Sequence, residues 1–288
     1  MTPTIARDTR WTAIRAGLSR GRIETRQSFS EVANVIGHLI PAASYLGVLL
    51  MLRGKNVPGT DFPLTTMVLP SLLSLTVILG GIAGPTTALV ADREDGTLLR
   101  AKATPNGMLG YLIGKIMMFT LTTLVGFAAI VVLGVTLIDE LTLDVGRCLQ
   151  LALLFVGGLL ATVPIGVALG SVMKTTVQAT LVPFVCALLL FPSGIFYPIA
   201  VLPVWLQWVG QAFPFYWVGL GARSAMLPAE MATVEIGQSW RTGETFMMLG
   251  GWALAGLVLA PPLLRRMARR QSGSAMAAVR ERYLSKGY

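Results

Sequence analysis

Charge is scarce in this sequence. Only 13% of its 288 residues are Asp, Glu, Lys or Arg, and 54% are hydrophobic. Soluble domains carry roughly 25% charged residues. A chain this apolar cannot cover itself with polar surface, and a mean hydropathy of +0.68 points to lipid as its solvent. Histidine occurs once, at His38, and cysteine twice, at Cys148 and Cys186. Both cysteines fall in apolar runs with no histidine or acid clustered beside them, so neither a disulfide nor a metal site is expected. There is no Gly-Lys-Ser/Thr phosphate loop and no pair of carboxylates inside an apolar run. The chain itself is therefore expected to have no catalytic residue, no metal and no cofactor, and to be unable to hydrolyse nucleotide alone. Residues 1–31 are basic and polar, without the apolar core of a cleavable signal, so none is expected.

What the sequence does have is long charge-free runs. Crossing the hydrocarbon takes roughly 20 residues of helix. Six runs qualify: Glu31 to Arg53, Asp61 to Asp92, Lys115 to Asp139, Arg147 to Lys174, Lys174 to Arg223, and Glu244 to Arg265. None alternates as a barrel strand does, and helix is then the backbone solution in lipid. The predicted fold class is an all-α integral membrane protein. It has six transmembrane helices, an N-terminal interfacial helix, and re-entrant helices between spans 5 and 6. The predicted organisation is a lead-in over 1–31, a six-span domain over 32–264, and a basic tail over 265–288.

Lysine and arginine placement predicts orientation. With the N-terminus inside, eighteen of the 23 basic residues lie on the inner side and five (Arg53, Lys55, Arg147, Arg223 and Arg241) outside. Both termini are therefore expected in the cytoplasm of a cell (inner or plasma) membrane. The net charge of +9 sits beside span ends, where anionic lipid headgroups explain it better than nucleic acid does.

Within the lead-in, Trp11, Ile14 and Leu18 have helical spacing with arginines interleaved, Arg15 among them. This predicts a helix lying at the headgroups, interrupted by Gly17 and Gly21. His38, on span 1, has no acidic partner within that span and reads as a packing or hydrogen-bonding residue rather than a proton relay. Residues 91–107 form the most densely charged internal segment. Its acids precede its bases, as suits a short helix, and Pro105 and Gly107 would end that helix. Leu98 and Leu99 among the charges suggest one packed face, so the segment reads equally as a docking surface for a soluble protein or a solvated loop. The fifth run is too long for one span and is broken by Pro192, Pro198, Pro203 and Pro214. Span 5 is placed at Val177 to Pro192, followed over 192–222 by one or two short aromatic-rich helices. Gly166 and Gly170 have the small-xxx-small spacing of packed membrane helices. Span 6 is expected to end at Pro261-Pro262.

Two segments carry a family resemblance. Asp92-Arg93-Glu94-Asp95-Gly96-Thr97, continuing through Arg100 to Thr104-Pro105, resembles the cytoplasmic loop of type-2 ATP-binding-cassette exporter permeases. Phe191-Pro192-Ser193-Gly194-Ile195-Phe196-Tyr197-Pro198, running on through Pro203 and Trp205 to Pro214 and Arg223, resembles that family's stretch after span 5. Trp217 departs from the pattern, which would have a small or polar residue there. The resemblance implies a coupling helix that docks on a nucleotide-binding ATPase subunit through Glu94, Asp95, Gly96, Thr97 and Arg100. It also implies an outer gate at Phe191, Phe196 and Tyr197, a second permease half, and ATP and Mg held by the partner subunit. Such exporters move antibiotics, other amphipathic drugs, lipids or polysaccharide chains. The charge-poor spans favour an amphipathic cargo, and drug or antibiotic efflux is the expected activity. The alternatives are a secondary carrier driven by an ion gradient, with His38 as relay, and a membrane scaffold that moves no cargo.

Overall fold

A computed structural model describes residues 4–56, 63–104, 106–138 and 143–270. Among these residues the chain consists of helices joined by turns and loops, with one isolated antiparallel bridge, Asn56 to Pro63. In chain order the helices are α1 (Thr4–Ser28), α2 (Val32–Leu52), α3 (Leu64–Glu94), α4 (Thr97–Lys102), α5 (Gly107–Leu137) and α6 (Val145–Val172). They continue as α7 (Thr176–Thr180), α8 (Val182–Leu190), α9 (Val204–Ala212), α10 (Pro214–Met226) and α11 (Thr242–Arg270), with 3-10 turns at Ile199–Val201, Ala229–Val234 and Ile236–Gln238.

Among the described residues, five helices are long and apolar enough to cross a membrane: α2, α3, α5, α6 and α11. The segment expected as span 5 is different. Thr176–Leu190 is a shorter apolar stretch, divided at Leu181 between α7 and α8 with Pro183 in the first turn of α8. At 1.5 Å per residue it reaches about 22 Å, less than the roughly 30 Å hydrocarbon layer. Proline supplies no N–H to a preceding carbonyl, which accounts for the division.

The middle of the bundle is α3, packed on α5, α6 and α10. Its buried Leu69, Leu73 and Val77 meet Leu154 and Leu159 of α6 and Tyr216 and Val218 of α10 in one apolar cluster. The contact of α6 with α3 is close. A methyl group at Gly166 would lie 2.8 Å from the Gly81 carbonyl oxygen, and one at Gly170 3.0 Å from that of Thr86. The Thr86 hydroxyl donates to the Gly166 carbonyl at 2.9 Å. The small-xxx-small spacing is thus used, because small residues let two backbones approach.

Helix α1 lies against α5. Gly17 and Gly21, expected as interruptions, are its contact points. A Cβ on Gly17 would stand 2.6 Å from the Gly110 carbonyl oxygen, and one on Gly21 2.8 Å from that of Gly114. Two Gly-x-x-x-Gly pairs therefore face each other. Trp11 (57% exposed) and Leu18 (47%) remain on the outward face, with the Arg15 guanidinium 5.4 Å from the Trp11 ring centroid.

Helix α11 runs on past the expected end of span 6. It continues through Pro261-Pro262 to Arg270. Leu264 and Met267 are buried among Leu89, Leu98, Ala101 and Tyr111, and that tertiary packing holds the last turns in helix. His38 lies on α2, but its side chain falls outside the described residues, as do Pro105 and the tail from residue 271.

Candidate functional site

Three places combine chemistry with position: the α4 segment, a cleft beside α2, and the turn at the far end of the bundle.

The α4 segment is shorter than its charge pattern suggested. Asp92, Arg93 and Glu94 belong to the last turn of α3, and the new helix starts at Thr97 after Gly96, whose φ of 76° is left-handed. Such a φ carries little penalty for glycine alone. The Asp95 carboxylate accepts the Thr97 N–H at 2.8 Å, which satisfies one of the free donors at a helix start. Leu98 and Ala101 are buried, while Arg100 is exposed and donates to the Thr97 hydroxyl at 2.9 Å. The segment thus has one packed face and one cationic face.

Glu94 is turned elsewhere. Its carboxylate accepts the Thr176 N–H at 2.9 Å and the Thr176 hydroxyl at 2.5 Å. The neighbouring Arg93 donates to the Met173 carbonyl. The end of α3 is therefore tied to the link between α6 and α7, a pairing that nothing in the linear sequence announces.

Beside it lies a charge network, also unseen from the sequence. Lys115 of α5 sits 3.0 Å from Glu24 of α1 and 2.8 Å from Asp92 of α3. Arg20 pairs with Glu24 at 2.7 Å, and the Tyr111 hydroxyl donates to Asp92 at 2.8 Å. Helices α1, α3 and α5 are joined here by ionic contacts as well as by the glycine crossing. The i, i+4 spacing of Arg20 and Glu24 was a legible local signal; the partners on other helices were not.

The cleft, of about 550 Å³, lies between α2, α3 and α5. Its lining is mostly apolar, with Leu79, Phe119, Ile130 and Leu133 among it, and its polar side chains are Ser28, Tyr45, Thr76, Thr122 and Thr123. Thr76 and Thr122 donate to the carbonyls of Leu72 and Met118 at 3.0 and 2.9 Å. Their hydroxyls are thereby satisfied within their own helices, and the cleft places few polar demands on an occupant. Its volume falls within the roughly 300–1,000 Å³ of small-molecule sites.

At the far end, α8 leads into a tight turn. Gly194 has φ +63°, the Ser71 hydroxyl donates to the Ile195 carbonyl at 2.6 Å, and Ser193 and Ile195 are buried. Phe191 and Tyr197 meet edge to face at 6.1 Å between centroids, and the Tyr197 hydroxyl donates to the Phe191 carbonyl. Burial pushes the Tyr197 phenol above its ordinary pKa. Phe196 is 53% exposed. The structure brings Phe191 and Tyr197 together and leaves Phe196 outside the pair. None of the three is among the residues that line the cleft. Trp217, the departure noted above, is buried. Its indole donates to the Gln211 carbonyl at 2.7 Å, and the Arg241 guanidinium lies 4.9 Å from its ring centroid. A hydrogen bond to Glu244, opposed by partial burial, raises the Arg241 pKa above its ordinary value.

With this architecture in view, the comparisons give a class. The family model described as ABC-2 family transporter protein matches residues 63–260, which takes in α3 to most of α11. The chain belongs to the ABC-2 transporter family and is a multi-pass membrane subunit of an ATP-binding-cassette transporter. No curated protein matches this chain.

Proposed function

We propose that the chain is the permease subunit of an ATP-driven exporter that moves an amphipathic drug, antibiotic or lipid-like molecule out of the cell. In this reading α4 faces the cytoplasm with both termini, and the tandem α7–α8 serves as the fifth of six spans. Helices α9 and α10 re-enter the membrane before α11. A separate subunit binds ATP and Mg and docks on α4, and a second permease half completes the pathway.

The observation that carries the reading is the two-faced α4 segment. Leu98 and Ala101 anchor it to α5 and α11, and Arg100 stays exposed. Asp95, Gly96 and Thr97 shape its start, and Glu94 relays its position to Thr176. Arg100 is left to meet an acidic site on the ATPase, where a charge-assisted bond would form in a partly desolvated interface. The largely apolar cleft supports a cargo with a substantial apolar part.

The test is mild-detergent purification of the full chain with its nucleotide-binding subunit, followed by export of a fluorescent amphipathic dye from cells. We expect Arg100→Glu to abolish both co-purification and export while the chain elutes unchanged on gel filtration. Stoichiometric ATPase on the Arg100→Glu chain would refute the docking assignment. Dye export that persists without the ATPase and collapses with an uncoupler would replace the exporter with an ion-driven carrier.

A further inference from the structure

We propose that Arg223 is the positioning residue of the far-end turn, a clamp that holds residues 193–195 shut against the bundle, and that its release opens this end during transport. The second half of the proposal rests on the exporter reading; the first does not.

Arg223 stands on α10, whose residues from Pro214 to Arg223 are all buried. One guanidinium there joins three segments. Its Nε donates to Glu235 Oε1 at 2.8 Å, and its Nη1 donates to the Gly194 carbonyl at 2.9 Å and to that of Ile195 at 3.4 Å. The side chains of Arg223 and Glu235 are 7% and 1% exposed. The ion pair therefore lies away from solvent, where pairing and geometry count most.

The turn it grips is closely packed. A Cβ on Gly194 would lie 3.1 Å from the backbone of Ile199, and Ile195 and Ile199 are buried. Ser71 of α3 donates to the same Ile195 carbonyl at 2.6 Å. The turn is thus pinned between α3 and α10 at the point where α8 gives way to the 199–201 turn and α9.

The clamp is also incompletely bonded. Among the described residues, Arg223 Nη2 and Glu235 Oε2 are buried without a hydrogen-bond partner. A buried network with unused donors and acceptors is one that can re-pair when its neighbours move. A guanidinium suits this task because its planar fork reaches a carboxylate and two carbonyls at once. A lysine ammonium keeps the charge but not the fork.

The experiment uses the full chain, purified in detergent, with Cys148→Ser and Cys186→Ala to clear the background. Ile195→Cys reports on the turn, and Leu98→Cys, in a separate chain, reports on an equally buried place at the α4 end. The rate of labelling by a soluble maleimide is read with and without Arg223→Lys, in the absence of ATP and cargo. We expect Arg223→Lys to label severalfold faster at 195 and at the same rate at 98. An unchanged rate at 195 overturns the clamp. A parallel rise at both sites also overturns it, since the pair would then be a general stabiliser. Should Arg223→Lys fail to fold, Glu235→Gln provides the second variant, with the same two outcomes. Faster labelling at 195 combined with unaltered dye export would keep the clamp and discard its part in opening.

Discussion

The two ends of the bundle are held by different physics. At the α4 end, four ionic side chains and a tyrosine share the task. Lys115, Glu24 and Asp92 retain 14–17% side-chain exposure and Arg20 32%. At the far end, the Arg223–Glu235 pair is buried almost completely. A shared, partly solvated network loses little when one member goes, because the others keep partners. A buried pair centred on one guanidinium loses much, because the survivor is left as an uncompensated charge. The α4 end thus spreads its load over several side chains, while the far end gathers its polar contacts on one guanidinium.

Three substitutions sharpen that contrast, and each can be read from the thermal unfolding of the full chain in detergent. Arg223→Ala should have the largest effect, about 3–5 kcal/mol, the usual result of removing one partner of a buried pair. A loss below that of the α4-end variants would break the comparison. Gly17→Leu comes next. Its side chain would meet the Gly110 carbonyl oxygen where even a Cβ has only 2.6 Å, and overpacking of this kind costs about 1–3 kcal/mol. Detachment of α1 should show as new protease cleavage within residues 4–28. Lys115→Ala should be mildest, about 1–2 kcal/mol, since Arg20 still serves Glu24 and Tyr111 still serves Asp92. If Lys115→Ala matched Arg223→Ala, the network would not be sharing its load.

Much of the helical framework was legible because charge marks where an apolar helix must stop. The runs beginning after Glu31, Asp61 and Arg147 correspond to α2, α3 and α6, and prolines 192, 198, 203 and 214 foretold the broken region before α11. The ends were less legible. Asp92 to Glu94 extend α3 because their side chains find partners on other elements, and Pro261-Pro262 do not stop α11 because Leu264 and Met267 have a buried seat. Charge and proline are local signals, and these outcomes were decided by distant residues. The same holds for the candidate site. Composition and order drew attention to residues 91–107, but the tie from Glu94 to Thr176 joins two stretches with no common pattern. Gly17 and Gly21 were read as flaws in a surface helix. The matching pair at Gly110 and Gly114 was the available clue, and it has meaning only once two helices are compared.

The glycine crossing of α1 and α5 also orders events in time. Helix α1 is made before α5, so its seat does not exist until residues 107–137 have been synthesised and inserted. Until then its exposed Trp11 and Leu18 can rest on lipid while its glycine face waits. Docking of α1 therefore follows synthesis of α5, and a chain halted before α5 would carry α1 undocked.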